Sequence, residues 1–447
     1  MQERKVKPNY TVAELFCGCG GFSHGFGRTG RFHTVLGNDL KKFALKTFRL
    51  NHIHDGQEPL VIEKDIRLVD DDAVVDMLKS KGVQNLDCLL GGPPCQGFSQ
   101  MRRTEGRRGS KIARFGGYNK LDQDPRNDLV LRFLEIAAIL NPKVIVIENV
   151  PQFLSHYHDG KRGGIAQQVE DVLHELGYEV ACGILNAADY GVPQLRQRAV
   201  ILASRLGQIT LPMQTHGERE LLSGWSGQPW VTVEDALKDL PADPPLNETL
   251  GGLPNGYVGQ PKGAYAKLMR TSEGFPYNHV ARTYQKRIVD LIKRMKPGET
   301  WDEASERMRK KYDALVAKSA KKGESAARAR KRLEEEGKII GVFYKRYYWS
   351  AYTRLAWDRP ALTITANANF LGSGRFTHPD CDRGITMREA ARLQSFDDAF
   401  KFYTSDDSKK ETENIGVGLD MIGEAVPPLL ARAIAETVAV HLDEKGA

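Results

Sequence analysis

The unbroken apolar run Val144-Ile145-Val146-Ile147 does more than any other stretch to limit what this chain can fold into. A strand with one wet face alternates apolar and polar residues. A continuous apolar run fits a strand covered on both faces, as in a parallel sheet flanked by helices. The first two hundred residues repeat this theme. Strand patterns are read at residues 11–16, 34–37, 61–63, 86–90, 144–147, 178–186 and 199–204. Amphipathic helical patterns at 42–51, 73–81, 129–140 and 165–176 separate them. Strands alternating with helices predict an α/β fold built on a doubly wound, Rossmann-like parallel sheet.

In such sheets ligands sit beyond the carboxyl ends of the strands, so those ends are the places to look for chemistry. The first ends in Phe16-Cys17-Gly18-Cys19-Gly20-Gly21, a glycine-rich turn that lets backbone amides approach a ligand at a helix N-terminus. The second ends in Asn38-Asp39, placed to accept hydrogen bonds from ribose hydroxyls, and the third in Lys64-Asp65-Ile66, a carboxylate and an aliphatic suited to adenine. Together these describe an adenosine pocket. No Gly-x-x-x-x-Gly-Lys-Ser/Thr motif is present, which makes a nucleoside triphosphate the poorer ligand. The fourth end carries Pro94-Cys95-Gln96-Gly97-Phe98-Ser99, a thiol set at the mouth of a loop by a rigid Pro-Pro step. The fifth is Ile147-Glu148-Asn149, a carboxylate emerging from an apolar strand, where a charge is paired or functional. Gln194-Leu195-Arg196-Gln197-Arg198 then places two guanidiniums two residues apart, on one side of an extended segment.

The bounds set by composition are broad. The chain has 447 residues, 41% of them hydrophobic and 27% charged, with a net charge of +7 that permits a polyanionic partner without requiring one. No apolar run reaches the length of a membrane span and the N-terminus lacks a secretion signal, so a cytoplasmic protein with no membrane association is expected. The six cysteines form no C-x-x-C pair, and no metal site is expected. Residues 206–262 are rich in glycine and proline, 301–338 read as a charge-dense solvated helix or helical hairpin, and 428–441 as a closing helix after Pro427-Pro428.

These motifs, in this order, resemble the bacterial type of DNA (cytosine-5) methyltransferase. Phe16–Gly21 is similar to the cofactor loop of that family, Pro94–Ser99 to its Pro-Cys-Gln motif, Glu148-Asn149-Val150 to its Glu-Asn-Val motif, and Gln194–Arg198 to its Gln-x-Arg-x-Arg motif. Arg388-Glu389-Ala390-Ala391-Arg392-Leu393-Gln394 resembles a late family segment, and Ile422-Gly423-Glu424-Ala425-Val426-Pro427-Pro428 the closing Gly-Asn-Ala-Val-Pro-Pro.

The resemblance implies methyl transfer from S-adenosylmethionine to carbon 5 of a cytosine flipped out of a specific double-stranded DNA sequence. It assigns the reaction to Cys95, Glu148, Arg196 and Arg198. Cys95 adds to carbon 6, Glu148 holds ring nitrogen 3 and the amino group, and Arg196, with Arg198, holds the base carbonyl and positions the other two. Cofactor positions are Phe16, Gly18, Gly20, Gly21, Asp39, Leu40, Asp65, Ile66, Pro94, Leu129 and Glu424. Gln96, Ser99, Arg102, Arg103, Arg107 and Arg108 are expected on DNA, the arginines in a glycine-rich loop that closes over the phosphates. The expected division is a catalytic domain over 1–205, completed by 414–447, and a target-recognition domain over 206–413. Within the latter only about 206–350 lacks resemblance, and Tyr344, Lys345, Arg346, Tyr347, Tyr348 and Trp349 form a basic-aromatic cluster open to either DNA contact or core packing. A monomer acting in a restriction or phage-defence system, with companion proteins, or alone, is the expected setting.

Four positions depart from the family pattern. Glu14 stands for the usual aspartate, Asp39 for glutamate, Asp397 for proline, and Glu424 for the asparagine of the closing motif. The resemblance puts position 424 at the methionine end of the cofactor, where a carboxylate would face its ammonium or sulfonium but repel its carboxylate group. Two other readings stay open. One is a transfer-RNA cytosine-5 methyltransferase, which the length of 206–350 speaks against. The other is an inactive cofactor-binding regulator, expected to have lost Cys95, Glu148 or Arg196.

Overall fold

Seven strands make the central sheet: β1 (Tyr10–Leu15), β2 (Phe32–Asp39), β3 (Leu60–Glu63), β4 (Cys88–Gly91), β5 (Val144–Asn149), β6 (Glu179–Asn186) and β7 (Gln197–Ser204). Their order is β3-β2-β1-β4-β5-β7-β6. The computed structural model describes residues 10–94, 128–155, 157–158, 161–218, 226–246, 256–270, 274–405 and 414–446.

The first five strands are parallel, as expected. β7 departs from that expectation and runs antiparallel to both β5 and β6. The reason lies in the connection: residues 187–196 between β6 and β7 are too few for the helical crossover that a parallel step requires. The apolar run in β5 is explained by its two covers. Val144 and Val146 enter one core cluster with Val12, Leu90, Val200 and Leu202. Ile145 and Ile147 enter another with Ala13, Leu15, Leu89 and Ile201. Period-two alternation sends each neighbour to the opposite face, and both faces are dry.

Helices α1 (Gly21–Gly27), α2 (Lys42–Asn51), α3 (Asp71–Ser80), α4 (Asp128–Leu140) and α5 (Gly164–Glu175) connect and flank these strands. The C-terminal segment returns to this layer. Helix Pro428–Glu444 crosses α1 so closely that a Cβ on Gly25 would stand 2.4 Å from the Ala431 Cβ. Tyr10 of β1 donates to Asp443 (2.5 Å), and His441 meets the Ser204 hydroxyl (2.7 Å) at the end of β7. The stretch Ile415–Glu444 is apolar and long enough to cross a membrane by composition. Here it is mostly buried, and its apolar side chains are part of the core.

Between these lies a region whose sequence reads as a solvated helix or helical hairpin. Helices Trp301–Ser319 and Ala326–Glu335 do form a pair, but with a core of their own around fully buried Trp301, Met308, Tyr312, Leu333 and Phe343. Trp301 stacks on Phe343 with 5.4 Å between centroids. A capping box between Thr300 and Glu303 starts the first helix. The basic-aromatic cluster divides: Tyr344 is half-buried, whereas Tyr347, Tyr348 and Trp349 are exposed.

A buried polar centre ties helix Met387–Leu393 to helix Val233–Leu237. Arg392, wholly buried, donates to Asp398 (2.9 and 2.6 Å), to Asp239 (2.5 Å) and to the Ala236 carbonyl (2.9 Å). Asp239 also receives Arg270 (2.6 Å), and Asp398 receives the Tyr257 hydroxyl (2.7 Å).

Candidate active site

The carboxyl ends of β1 to β5 open into one cleft of about 540 Å³. β1 ends in the glycine turn, where Phe16 itself takes a left-handed conformation (φ 56°) and Cys17 N donates to Asn38 O at 2.9 Å. Gly18, also left-handed (φ 53°), lines the cleft, and a Cβ there would meet nothing within 4 Å. That open space over bare backbone is what a ligand needs. The turn is held from β2: Asp39 accepts from Gly18 N (2.8 Å) and from Lys41 N (2.8 Å) through its two oxygens.

Helix α1 starts at this turn with Gly20, which has no side chain to cap it. Glu14, one strand residue back, takes that role by accepting from the Ser23 backbone N–H (3.0 Å) and the Ser23 hydroxyl. Burial pushes the Glu14 carboxyl up to about 8.

At the end of β3, Asp65 and Ile66 line the cleft as expected. Asp65 is also engaged by a residue that sequence reasoning passed over, Arg67, whose Nε and Nη2 reach it at 3.0 and 2.5 Å. The carboxylate therefore faces the cleft as half of an ion pair, and Arg67 joins the lining. Hydrogen bonding to Arg67 lowers the Asp65 pKa.

The other end of the cleft carries the reactive groups. Glu148 leaves β5 and pairs with Arg198 at 2.6 Å. The two side chains are 12% and 13% exposed, so the pair is shielded yet reachable. Asn149 next to it donates to the Pro93 carbonyl (3.1 Å) and pins the segment that leads into Cys95. Pro94 lines the cleft. Cys95, Gln96, Ser99, Arg102, Arg103, Arg107 and Arg108 lie outside the described residues.

Both expected arginines line the cleft, but they meet different partners. Arg196 lies in the break between a short strand, Gln194–Leu195, and β7, and is buried. Its guanidinium donates to the carbonyls of Ile364 (2.8 Å), Gly423 (2.9 Å) and Ala425 (3.1 Å), binding two distant segments to the cleft wall. Arg198, and not Arg196, holds Glu148.

Leu40, Leu129, Gly21 and Glu424 all line the cleft. Gly20 does not: a Cβ there would stand 2.3 Å from His52 and 2.7 Å from Phe48, so close packing beneath the turn demands this glycine. Gly21 meets a similar limit, with the Val426 carbonyl 2.4 Å from its would-be Cβ. Glu424 is paired with Lys41 across the cleft at 2.5 Å. Among the described residues no cluster of three or more His, Cys, Asp or Glu side chains could hold a metal.

A seven-stranded Rossmann-like sheet with one reversed strand, opening on a cleft with acid–base groups at one end, is a methyltransferase fold. The chain belongs to the C-5 cytosine-specific DNA methylase family, whose model matches residues 10–439, and is a DNA (cytosine-5) methyltransferase. It is 31% identical over 443 residues to the Type II methyltransferase M.DdeI of Desulfomicrobium norvegicum, covering 97% of this chain and 89% of that one. The Type II methyltransferase M.AgeI of Thalassovita gelatinovora is 30% identical, with 96% and 99% covered. Among solved structures, a protein described as a DNA modification methyltransferase encoded within an E. coli prophage aligns at TM-score 0.63. That pair is 21% identical, with 97% of this chain and 99% of the other covered.

Proposed function

We propose that this enzyme methylates carbon 5 of cytosine within a specific double-stranded DNA sequence, using S-adenosylmethionine and a transient Cys95 adduct, as a modification enzyme of the Type II kind. The observation that carries the reading is the placement, in one cleft, of the Glu148–Arg198 pair beside the anchored Pro93-Pro94 segment, with an Asp39 and Asp65 pocket at the far end. The fit to an adenosyl ligand rests on the open cradle at Gly18 and on carboxylates from β2 and β3 lining the same wall.

S-Adenosylmethionine supplies an electrophilic methyl group when bound. The chain supplies the rest. Cytosine carbon 5 is a poor nucleophile until a thiolate adds at carbon 6, and Cys95 is the thiol at the end of the pinned segment. Glu148 hydrogen-bonds nitrogen 3 and the amino group, placing a proton where electron density accumulates. Arg198 fixes the Glu148 carboxyl and, on this reading, holds the base carbonyl. Loss of the carbon 5 proton and release of the thiol restore the aromatic ring. On this reading the basic segment 102–114 engages DNA phosphates, and the chain divides into a catalytic part (1–205 with 414–447) and a recognition part (206–413), a division supported by the proposed reaction groups lying in the first.

Incubation with duplex DNA bearing 5-fluorocytosine at target sites is expected to give a denaturation-resistant complex, because fluorine blocks the elimination that frees the enzyme. Mapping methylated cytosines in the DNA of expressing cells is expected to return one recurring motif. Transfer RNA methylated in place of duplex DNA, or methylation without a motif, would exclude this reading.

The two arginines separate in a second experiment. Arg198→Ala is expected to lower kcat by about 10²-fold with a small change in melting, because it removes a charge from the reacting end. Arg196→Ala is expected to cost about 2–4 kcal/mol of stability, removing the guanidinium from the carbonyls of Ile364 and Gly423 and leaving that of Ala425 to Gln394 alone. The reverse pattern in turnover and urea unfolding would disprove the assignment.

A further inference from the structure

The hairpin of helices Trp301–Ser319 and Ala326–Glu335 lies in the stretch without family resemblance, and its charges read from sequence as a solvated face. A groove of about 340 Å³ opens on it and shares no lining residue with the catalytic cleft. Met308, Tyr312 and Leu315 form the floor, and Arg294, Lys311, Lys318 and Lys338 the rim. Among the described residues no carboxylate lines it. Elsewhere the hairpin matches its charges: Lys310 with Glu306 (2.7 Å), Arg330 with Asp313 (3.3 Å) and Arg332 with Glu324 (2.9 Å). Lys338 likewise keeps Glu336 (2.7 Å). Lys311 and Lys318 have no such partner among the described residues. Helical spacing sends Asp302, Glu306 and Asp313 to the far side of the first helix, so both lysines leave a stripe free of acids.

Cations gathered around one concavity repel each other until an anion offsets them. Tyr312 supplies an independent sign of a ligand. It is only 3% exposed and lines the groove, yet its hydroxyl has no hydrogen-bond partner among the described residues. An unpaired buried hydroxyl is a cost that an accepting ligand oxygen removes. Ammonium, guanidinium and tyrosine hydroxyl groups are donors that meet phosphate oxygens, whereas no asparagine or glutamine lines the groove to read base edges. Lys311 and Lys318 leave their helix about 10 Å apart along its axis. A row of that length suits successive phosphates of one strand better than a single small anion. The hairpin's own core, around Trp301 and Phe343, keeps the row in place.

We propose that this groove, through Lys311, Lys318 and Tyr312, binds the phosphate backbone of duplex DNA outside the target site. The hairpin then holds DNA without reading its sequence, although it lies within the part of the chain assigned to recognition. The inference goes beyond the reading of the cleft and depends neither on Cys95 nor on the cofactor nor on a particular target.

Fluorescence anisotropy of the full-length protein with a labelled duplex of arbitrary sequence, over a salt series, tests it. Lys311→Gln/Lys318→Gln is expected to weaken binding about 5- to 20-fold and to lower the slope of log affinity against log salt by about 2, one for each lost phosphate contact. Tyr312→Phe is expected to weaken binding about 2- to 5-fold with the slope and the melting temperature unchanged. Lys79→Gln/Lys81→Gln makes the same change of charge at the exposed end of α3, and is expected to stay within about twofold of wild type. The methylated motif in expressing cells is expected to be the same in all of them. Equal losses in the two lysine pairs, or wild-type binding by Tyr312→Phe, would leave only diffuse charge and overturn the proposal. A changed motif would make the hairpin a reader of bases and overturn it too. So would calorimetry showing that inorganic phosphate occupies the groove while the groove variants bind duplex as the wild type does. A wild type that binds no duplex would instead count against DNA as the substrate.

Discussion

Methyl transfer by Cys95→Ala is expected to fall by at least about 10⁴-fold, while affinities for duplex DNA and cofactor stay within about threefold. The asymmetry follows from the chemistry. In the proposed mechanism the thiol acts only in the chemical step, and without its addition carbon 5 never becomes nucleophilic. Removal of a residue used only in the reacting state lowers turnover and spares binding. Asn149, which donates to the Pro93 carbonyl, and Pro94, which lines the cleft, keep the approach to position 95 in place in the variant. Single-turnover transfer of labelled methyl to a defined duplex measures the first quantity, and titration calorimetry the second. Residual transfer above about one part in a hundred, or a fluorocytosine adduct on any other cysteine, would show that Cys95 is not the nucleophile.

Arg392→Met is expected to lower stability by about 3–5 kcal/mol, the largest effect foreseen outside the cleft. Methionine has nearly the right bulk, so the loss is electrostatic. Asp239 and Asp398 are both buried, and each takes a charged hydrogen bond from Arg392. Arg270 still reaches Asp239 and Tyr257 still reaches Asp398, but neither replaces a guanidinium lying between the two carboxylates. The exposed pair Arg49–Glu58 offers a contrast, since both side chains are about half in solvent. Arg49→Met is expected to change stability by less than about 1 kcal/mol. Unfolding midpoints in urea compare the two, and equal shifts would contradict the argument.

The local patterns were legible without coordinates because they come from short-range physics. A run such as Val144–Ile147 needs two dry faces whatever surrounds it, and a glycine turn after a strand needs an unhindered backbone. The five parallel strands, the helices between them and the residues at their ends all follow from such rules. Chain reversal at β7 was within reach too, from the shortness of 187–196, had connection length been weighed against the strand pattern. The buried core of the helical hairpin was hidden by its charge density: Trp301, Met308 and Tyr312 recur at helical spacing, but they are diluted among lysines and arginines.

What no pattern discloses is which of several like residues meets which partner. Arg196 and Arg198 are chemically the same side chain two positions apart. Only the arrival of Ile364, Gly423 and Ala425, from 168 to 229 residues away, makes one a fastener and leaves the other to Glu148. Gly20 and Gly18 share a turn, yet His52 and Phe48 beneath the first and open cleft above the second give them different work. Lys41 and Glu424 are 383 positions apart and carry no joint signal in the sequence. The sequence by itself determined the sheet, the cofactor turn and the order of the chemical groups, because those depend on neighbours along the chain. Tertiary structure alone decided the pairing of charges around the cleft, because a charge in a sheltered site is defined by the nearest opposite charge in space.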